Sequence, residues 1–252
     1  MLSGKKILII GVTNTNSIAF GIAKSMHQHK ATLAFSYQYK KLKKRIINLA
    51  KKLDSKIVIE CNLNKKKNIK LLFQQLKSYW NHFDGIVHSV AFAPITSFKK
   101  DYINSITKKS FLITHEITSY TFVALAKYSQ HMLKEGSSLL TLSFLGSQRA
   151  IPYYNVMGVA KASLESNIRY MAYSLGQKKI RVNGISAPPI RTVSSVSINN
   201  FTKLMDQYEN NKPLKNELNI YDIGNVASFL CSDLSNGISG QIIYVDAGYS
   251  IL

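Results

Sequence analysis

Short, mainly apolar runs alternate with stretches of helical periodicity along almost the whole chain. The runs at 6–10 (KILII), 32–37 (TLAFSY), 56–60 (KIVIE), 85–90 (GIVHSV), 138–144 (SLLTLSF), 180–186 (IRVNGIS) and 241–245 (QIIYV) read as seven strands. Between them, helices are expected at about 17–29, 39–53, 66–80, 110–134, 153–175 and 221–231. Strands without polar alternation are buried on both faces, which calls for a parallel sheet covered by helices on each side. Seven of them in 252 residues describe an α/β fold, a single doubly wound Rossmann domain. Such sheets bind ligands beyond the carboxyl ends of their strands, so the informative residues should follow the strands.

Composition narrows the class. Hydrophobic residues make up 46% and charged residues 18%, which excludes general disorder. No apolar run reaches the roughly 18–20 residues of a membrane span. The opening MLSGKKILIIGVT has two lysines before a short apolar run, but no long hydrophobic region or small-residue cleavage site, and reads as a first strand. Cys61 and Cys231 have neither metal-ligand spacing nor a disulfide framework, so a reducing compartment, most simply the cytoplasm, is expected.

The net charge of +20 is unevenly placed: residues 1–134 hold 23 Lys/Arg against 5 Asp/Glu, residues 135–252 hold 10 against 8. With 28 Lys and 5 Arg, this profile suggests AT-rich coding more than selection for phosphate contacts. Nucleic-acid binding is a rival reading on charge alone. The candidate catalytic residues, however, fall in the nearly neutral half.

The link from strand one to helix one is Gly11-Val12-Thr13-Asn14-Thr15-Asn16-Ser17-Ile18-Ala19-Phe20-Gly21. Gly11 permits a tight turn and close approach to a pyrophosphate, Ser17 can cap the helix or donate to a phosphate, and Gly21 lets the helix pack closely on the sheet. An ordinary strand–helix turn has a similar pattern, since this is not G-x-G-x-x-G. At the end of strand two, Gln38 can bond an adenosine ribose without demanding a phosphate. Lys40 and Lys41 could meet a 2′-phosphate or simply be solvated surface.

Tyr154 and Lys161 are seven positions apart, just under two helical turns, which predicts a shared helix face with about 10 Å of rise between them. That arrangement lets a lysine hold a cofactor ribose while a phenol reaches a carbonyl oxygen. In isolation such a pair is more often plain helix surface.

The surrounding motifs change that reading. They include Ser17-Ile18-Ala19 after Gly11, Phe35-Ser36-Tyr37-Gln38, Phe83-Asp84-Gly85-Ile86-Val87-His88-Ser89 and Arg149-Ala150-Ile151-Pro152. They continue with the Tyr154 to Lys161 segment, Ile190-Arg191-Thr192, Phe229-Leu230-Cys231-Ser232-Asp233 and Gly237-Ile238-Ser239-Gly240. In this order, over essentially the whole chain, they resemble the enoyl-acyl-carrier-protein reductases of bacterial type II fatty-acid synthesis. These are a divergent branch of the short-chain dehydrogenase/reductases. Ordinary relatives place tyrosine four before the lysine, where this chain has Met157.

The resemblance implies one domain over 1–252, with a substrate-binding loop at about 190–212. It implies hydride transfer from NADH to a trans-2-enoyl thioester on acyl carrier protein, with NADPH as the alternative that Lys40 and Lys41 keep open. Tyr154 would bond the enolate oxygen and Lys161 would hold the nicotinamide ribose. By position Gly11, Ser17, Ile18, Gln38, Asn62, Leu63, Val90, Lys161, Ile190, Arg191, Thr192, Val193 and Ser194 would contact the cofactor. Ala93 and Tyr154 would face the substrate, and Ile198, Phe201 and Leu204 would form a lid. No metal, nucleic acid or membrane is implied. Homotetramer interfaces would fall on the helices at 110–134 and 153–175, and the basic first half would help dock an acidic carrier protein.

The chain departs from the family pattern at several points. Phe144 replaces a tyrosine, which predicts altered substrate preference, with Tyr153 a candidate substitute phenol. Ala91 replaces a glycine near the nicotinamide pocket, Ala187-Pro188-Pro189 stiffens a loop that usually has glycine before the proline, and Asn62 replaces an aspartate. His88, Cys61, Cys231, Asp84 and Asp222 read as structural, and Ser143 has no assigned role. A carbonyl reductase or hydroxyacyl dehydrogenase is the rival within the class, disfavoured by the Tyr–Lys spacing; a catalytically idle scaffold is the rival outside it.

Overall fold

Successive residues of β1 (Lys6–Ile10) face opposite sides of a sheet, and both sides are buried: Ile7 and Ile9 enter one apolar layer, Leu8 and Ile10 the other. The structure, a computed structural model, describes residues 1–192 and 201–252. In it β1, β2 (Thr32–Tyr37), β3 (Ile57–Glu60), β4 (Phe83–His88), β5 (Leu133–Ser143), β6 (Arg181–Ser186) and β7 (Ile242–Tyr244) pair in parallel in the order β3-β2-β1-β4-β5-β6-β7. On one face lie α1 (Ile18–Gln28), α2 (Lys43–Lys51) and α9 (Ile220–Cys231). On the other lie α3 (Lys66–Lys77), α6 (Thr121–Ser129) and α7 (Val156–Gly176). The strand order reverses at β1, whose neighbours are β2 and β4, and such a reversal opens a crevice at the carboxyl ends.

Three expectations need correction. The helix expected at 110–134 is instead α5 (Lys108–His115), a π-helical turn at Glu116–Tyr120, and α6. Thr107 and Ser110 start α5 with a reciprocal capping box, and β5 already begins at Leu133, which pairs with Phe83 before the register shifts. The helix expected from 153 starts at Val156, because Tyr153 (φ 63°) and Asn155 (φ 45°) leave the right-handed helical path. Gly21 serves packing against another helix, not the sheet: an added Cβ would collide with Ile220 O of α9, and one on Gly224 would lie 2.7 Å from Gly21 O. The two glycines let α1 and α9 touch backbone to backbone.

The segment after β6 contains a helix, α8 (Phe201–Asn211), inside the stretch read as a loop. Phe201, Leu204 and Tyr208 recur at near-helical spacing and give it an apolar side. Among the described residues no helix is long and apolar enough to cross a membrane, and no cluster of metal-ligating side chains occurs. Cys61 and Cys231 are free and buried.

Candidate active site

Beyond the carboxyl ends of β1, β4 and β5 lies a cavity of about 480 Å³. Gly11, Thr13, Ser17 and Ile18 line it from the first turn, Ser89 to Ala93 from the exit of β4, and Leu142, Ser143 and Phe144 from the exit of β5. Tyr154, Met157 and Lys161 enter from the start of α7. Ala187 to Ile190, Thr192, Phe201 and Leu204 close it from the opposite side.

One end is built to approach an anion. Gly11 has φ 107°, and a Cβ there would collide with Ser89 O, so only glycine lets the β1 turn run this close to the β4 exit. Ser17 is the N-cap of α1, but its side chain does not cap the helix; its hydroxyl donates to Asn14 O at 2.7 Å. The helix start, with Ser17 and Ile18 on the cavity lining, thus lacks a side-chain cap, which suits a pyrophosphate seat.

The other end is apolar with one hydroxyl. Tyr154, Phe98 and Met157 form a buried cluster with Ala93, Phe144 and Ile151 against it. Phe144 meets the Tyr154 ring edge-on, 4.8 Å between centroids. Beneath that ring a Cβ on Gly146 would lie 2.5 Å from Cδ1, so the ring occupies space that only glycine leaves. Tyr154 is in the turn before α7, not on the helix. A turn bond from Met157 N to Tyr154 O at 3.1 Å joins it to the helix start, and it lines the same cavity as Lys161. Burial raises the Tyr154 phenol above its ordinary value and keeps it protonated.

Lys161 is 5% exposed, and its Nζ donates to Leu142 O at 2.6 Å. Burial pulls the ammonium down to about 8, opposed by Glu165, which favours the charge. Glu165, also buried, accepts from Ser143 (2.5 Å) and Ser147 (2.6 Å), bracketing the Phe144–Gly146 wall. His88 is buried between the hydroxyls of Thr141 and Thr121, each at 2.9 Å, and its pKa falls to about 3. Its structural reading stands, as does that of Asp222, which completes the capping box of α9 with Asn219. Asp84 lies within β4, not in a turn before it, and accepts from Lys6 N at 2.8 Å.

Of the positions singled out in the sequence, Gly11, Ser17, Ile18, Val90, Ala93, Tyr154, Lys161, Ile190 and Thr192 line the cavity, as do Ala91 and Phe144. Gln38 and Asn62 sit half-buried at the exits of β2 and β3, outside that lining. The Leu63 side chain is packed into the core, and Arg191 is exposed. Tyr153 does not line the cavity. Val193, Ser194 and Ile198 lie outside the described residues.

Several contributors carried no sequence signal. Thr118, in the π-helical turn, accepts from Phe92 N (3.1 Å) and so steadies the loop after β4. Extra residues in a helix often occur beside functional sites. Glu165 and Asn155 act through partners distant in sequence, and Gly146 through the ring of Tyr154.

A cavity at the switch point of a parallel sheet, lined by both a buried tyrosine and a buried lysine, fits an oxidoreductase of the short-chain dehydrogenase/reductase class. The family model described as Enoyl-(Acyl carrier protein) reductase matches residues 11–250. The enoyl-[acyl-carrier-protein] reductase [NADH] FabI of Escherichia coli K12 is 51% identical over 250 residues, 99% of this chain and 95% of that one. The crystal structure of the corresponding NADH enzyme of Aquifex aeolicus superposes with TM-score 0.97 at 40% identity, covering 100% of this chain and 98% of that one. That of Anaplasma phagocytophilum, in complex with NAD, gives TM-score 0.96 at 37% identity, over 100% and 95% of the two chains. The chain belongs to the enoyl-(acyl carrier protein) reductase family.

Proposed function

We propose that this chain reduces the 2,3 double bond of a trans-2-enoyl group carried by acyl carrier protein, using NADH, as the last step of fatty-acid elongation. The observation that carries the proposal is Tyr154, buried among apolar side chains and held protonated, on the same cavity lining as Lys161. The curated relatives are named for this reaction and for NADH.

A reduced nicotinamide, when bound in the cavity, would supply the hydride that saturates the β-carbon. The chain's own residues do the rest. The Tyr154 hydroxyl donates to the thioester oxygen as negative charge grows there, an interaction stronger in the transition state than in the ground state. Lys161 would hold a ribose hydroxyl of the cofactor from the same cavity lining. A proton from solvent, taken up at the α-carbon of the enolate, completes the saturation. Phe98, Phe144 and Met157 keep this end dry, which strengthens the hydrogen bond.

The donor set suits the cofactor. Gly11, Ser17 and Ile18 would face the pyrophosphate, and Gln38, Asn62 and Leu63 the adenosine. Val90, Lys161, Ile190, Arg191 and Thr192 would face the nicotinamide half. Ala93 and Tyr154 would face the enoyl group. The chain acts as one catalytic domain, in which Phe201 and Leu204 of α8, on the cavity lining, cover the acyl group.

Leu112, Tyr120, Val159, Tyr170 and Tyr173 are exposed on α5, the π-helical turn and α7. A homotetramer covering them accounts for so much outward apolar surface, and light scattering of the purified protein tests it. The free buried cysteines suit the cytoplasm, and the lysines of α2 and α3 suit an acidic carrier protein. Affinity for the carrier should then fall as salt rises. The central test follows NADH absorbance with an enoyl carrier-protein thioester in wild type and Tyr154→Phe. Turnover in wild type that collapses in the variant supports the proposal; absence of turnover in folded wild type overturns it.

A further inference from the structure

Tyr154 lies between two residues with left-handed backbone, Tyr153 at φ 63° and Asn155 at φ 45°, ψ −126°. Neither conformation is comfortable for a residue with a side chain, and such strain persists where surrounding contacts over-determine it. At Asn155 those contacts are explicit. Its Nδ2 donates to Ser97 O at 2.8 Å, Lys100 O at 2.9 Å and Ser105 Oγ at 3.1 Å. All are more than 45 residues away in sequence, in the segment between β4 and α5.

The first two acceptors flank Phe98. That ring is buried, lines the cavity and packs in the same cluster as Tyr154 and Met157. One carboxamide thus ties the backbone beside the donor phenol to the backbone beside the apolar wall facing it. A planar amide suits that place because its two hydrogens meet three oxygens, and these bonds hold the strained backbone. A carboxylate would set like charge against two carbonyl oxygens, and an aliphatic side chain would leave them without a donor.

We propose that Asn155 is a positioning residue that sets the distance between the Tyr154 hydroxyl and the substrate wall at Phe98. The proposal rests on Tyr154 being the donor to the enolate oxygen. Asn155 itself touches no substrate; it acts through the geometry of its neighbours. Its contribution should therefore be seen in kcat, and not in affinity for NADH, whose anion seat at Gly11 and Ser17 is on the other side of the cavity.

The test compares wild type, Tyr154→Phe, Asn155→Gly and Asn155→Asp by kcat and KM with an enoyl carrier-protein thioester, NADH affinity by fluorescence, and thermal midpoint. Glycine keeps the backbone conformation and removes only the amide. Misplacement by an ångström is enough to slow a reaction by about 100-fold, so kcat should fall by about 10-fold in Asn155→Gly and further in Asn155→Asp, with NADH affinity within about twofold of wild type. A kcat within about twofold of wild type in Asn155→Gly, beside an inactive Tyr154→Phe, overturns this proposal and leaves the tyrosine reading intact. Full activity in Tyr154→Phe brings down both. A loss of kcat matched by an equal loss of NADH affinity, or failure of both Asn155 variants to fold, also overturns it, since the role would then be in folding.

Discussion

The two halves of this chain use charge in opposite ways. In the first, which holds most of the excess of lysine, the cations of α2 and α3 stand exposed and enter no ion pair among the described residues. The second is nearly neutral, yet Lys161, Glu165, Arg181, Lys212 and Asp246 are all buried there, against Asp84 alone in the first. Each has particular partners: Arg181 donates to Leu230 O and Ser235 Oγ, both at 2.8 Å, and Lys212 meets Glu209 at 2.6 Å and the face of Tyr208. A solvated charge is screened and nearly free to exchange. A buried one must be satisfied, and once satisfied it is fixed in place. The number of charges therefore misleads about chemistry, and their burial locates it.

Perturbations should separate the halves by size. The largest effect is expected from Tyr154→Phe, which removes the donor to the developing oxyanion: kcat should drop by about 100- to 1000-fold, and a fall under tenfold would break the assignment. Next, Gly146→Ala would press a methyl into the Tyr154 ring. A destabilisation of about 1–3 kcal/mol is expected from such overpacking, measured by denaturant unfolding, together with loss of turnover.

Lys161→Met tests the buried ammonium through pH. Lys161 titrates near 8 in the folded protein, down from 10.5. Between those values the unfolded chain binds more protons, so this group's contribution to stability rises with pH across the window and is lost below it. Cofactor-free wild type should gain on Lys161→Met by about 1–2 kcal/mol from pH 7.5 to 9.5; a constant difference would mean that Lys161 is not desolvated. Smallest of all, replacing Lys40 and Lys41 by glutamine should leave NADH affinity within about twofold, as befits exposed cations. A tenfold loss would move functional charge into the first half.

How much of this was legible in the residue order depended on range. The strands were, because burial on both faces leaves wholly apolar runs such as KILII, and β1 and β2 occupy the predicted positions. Gly11, Tyr154 and Lys161 stood out by residue type and spacing. The path of the chain at Tyr154 did not: helical spacing put it on α7, whereas Asn155 breaks that path two residues before Met157. The π-helical turn in the 110–134 stretch was equally hidden, since nothing in GLU-ILE-THR order distinguishes an inserted residue from regular helix.

From the sequence alone came the parallel α/β sheet, the ligand-binding edge, the family and the two residues proposed to carry the chemistry. All of these rest on local patterns: apolar runs, glycine at a strand exit, motifs in order. Only the tertiary structure decided what holds those residues in place. The space beneath the Tyr154 ring at Gly146, the Glu165 bracket on Ser143 and Ser147, the helix contact at Gly21 and Gly224, and the Asn155 clamp on Ser97 and Lys100 belong to it. The physical reason is that each depends on atoms brought together by folding from positions far apart along the chain, and a hydrogen bond or a steric limit has no meaning until its second partner has a place.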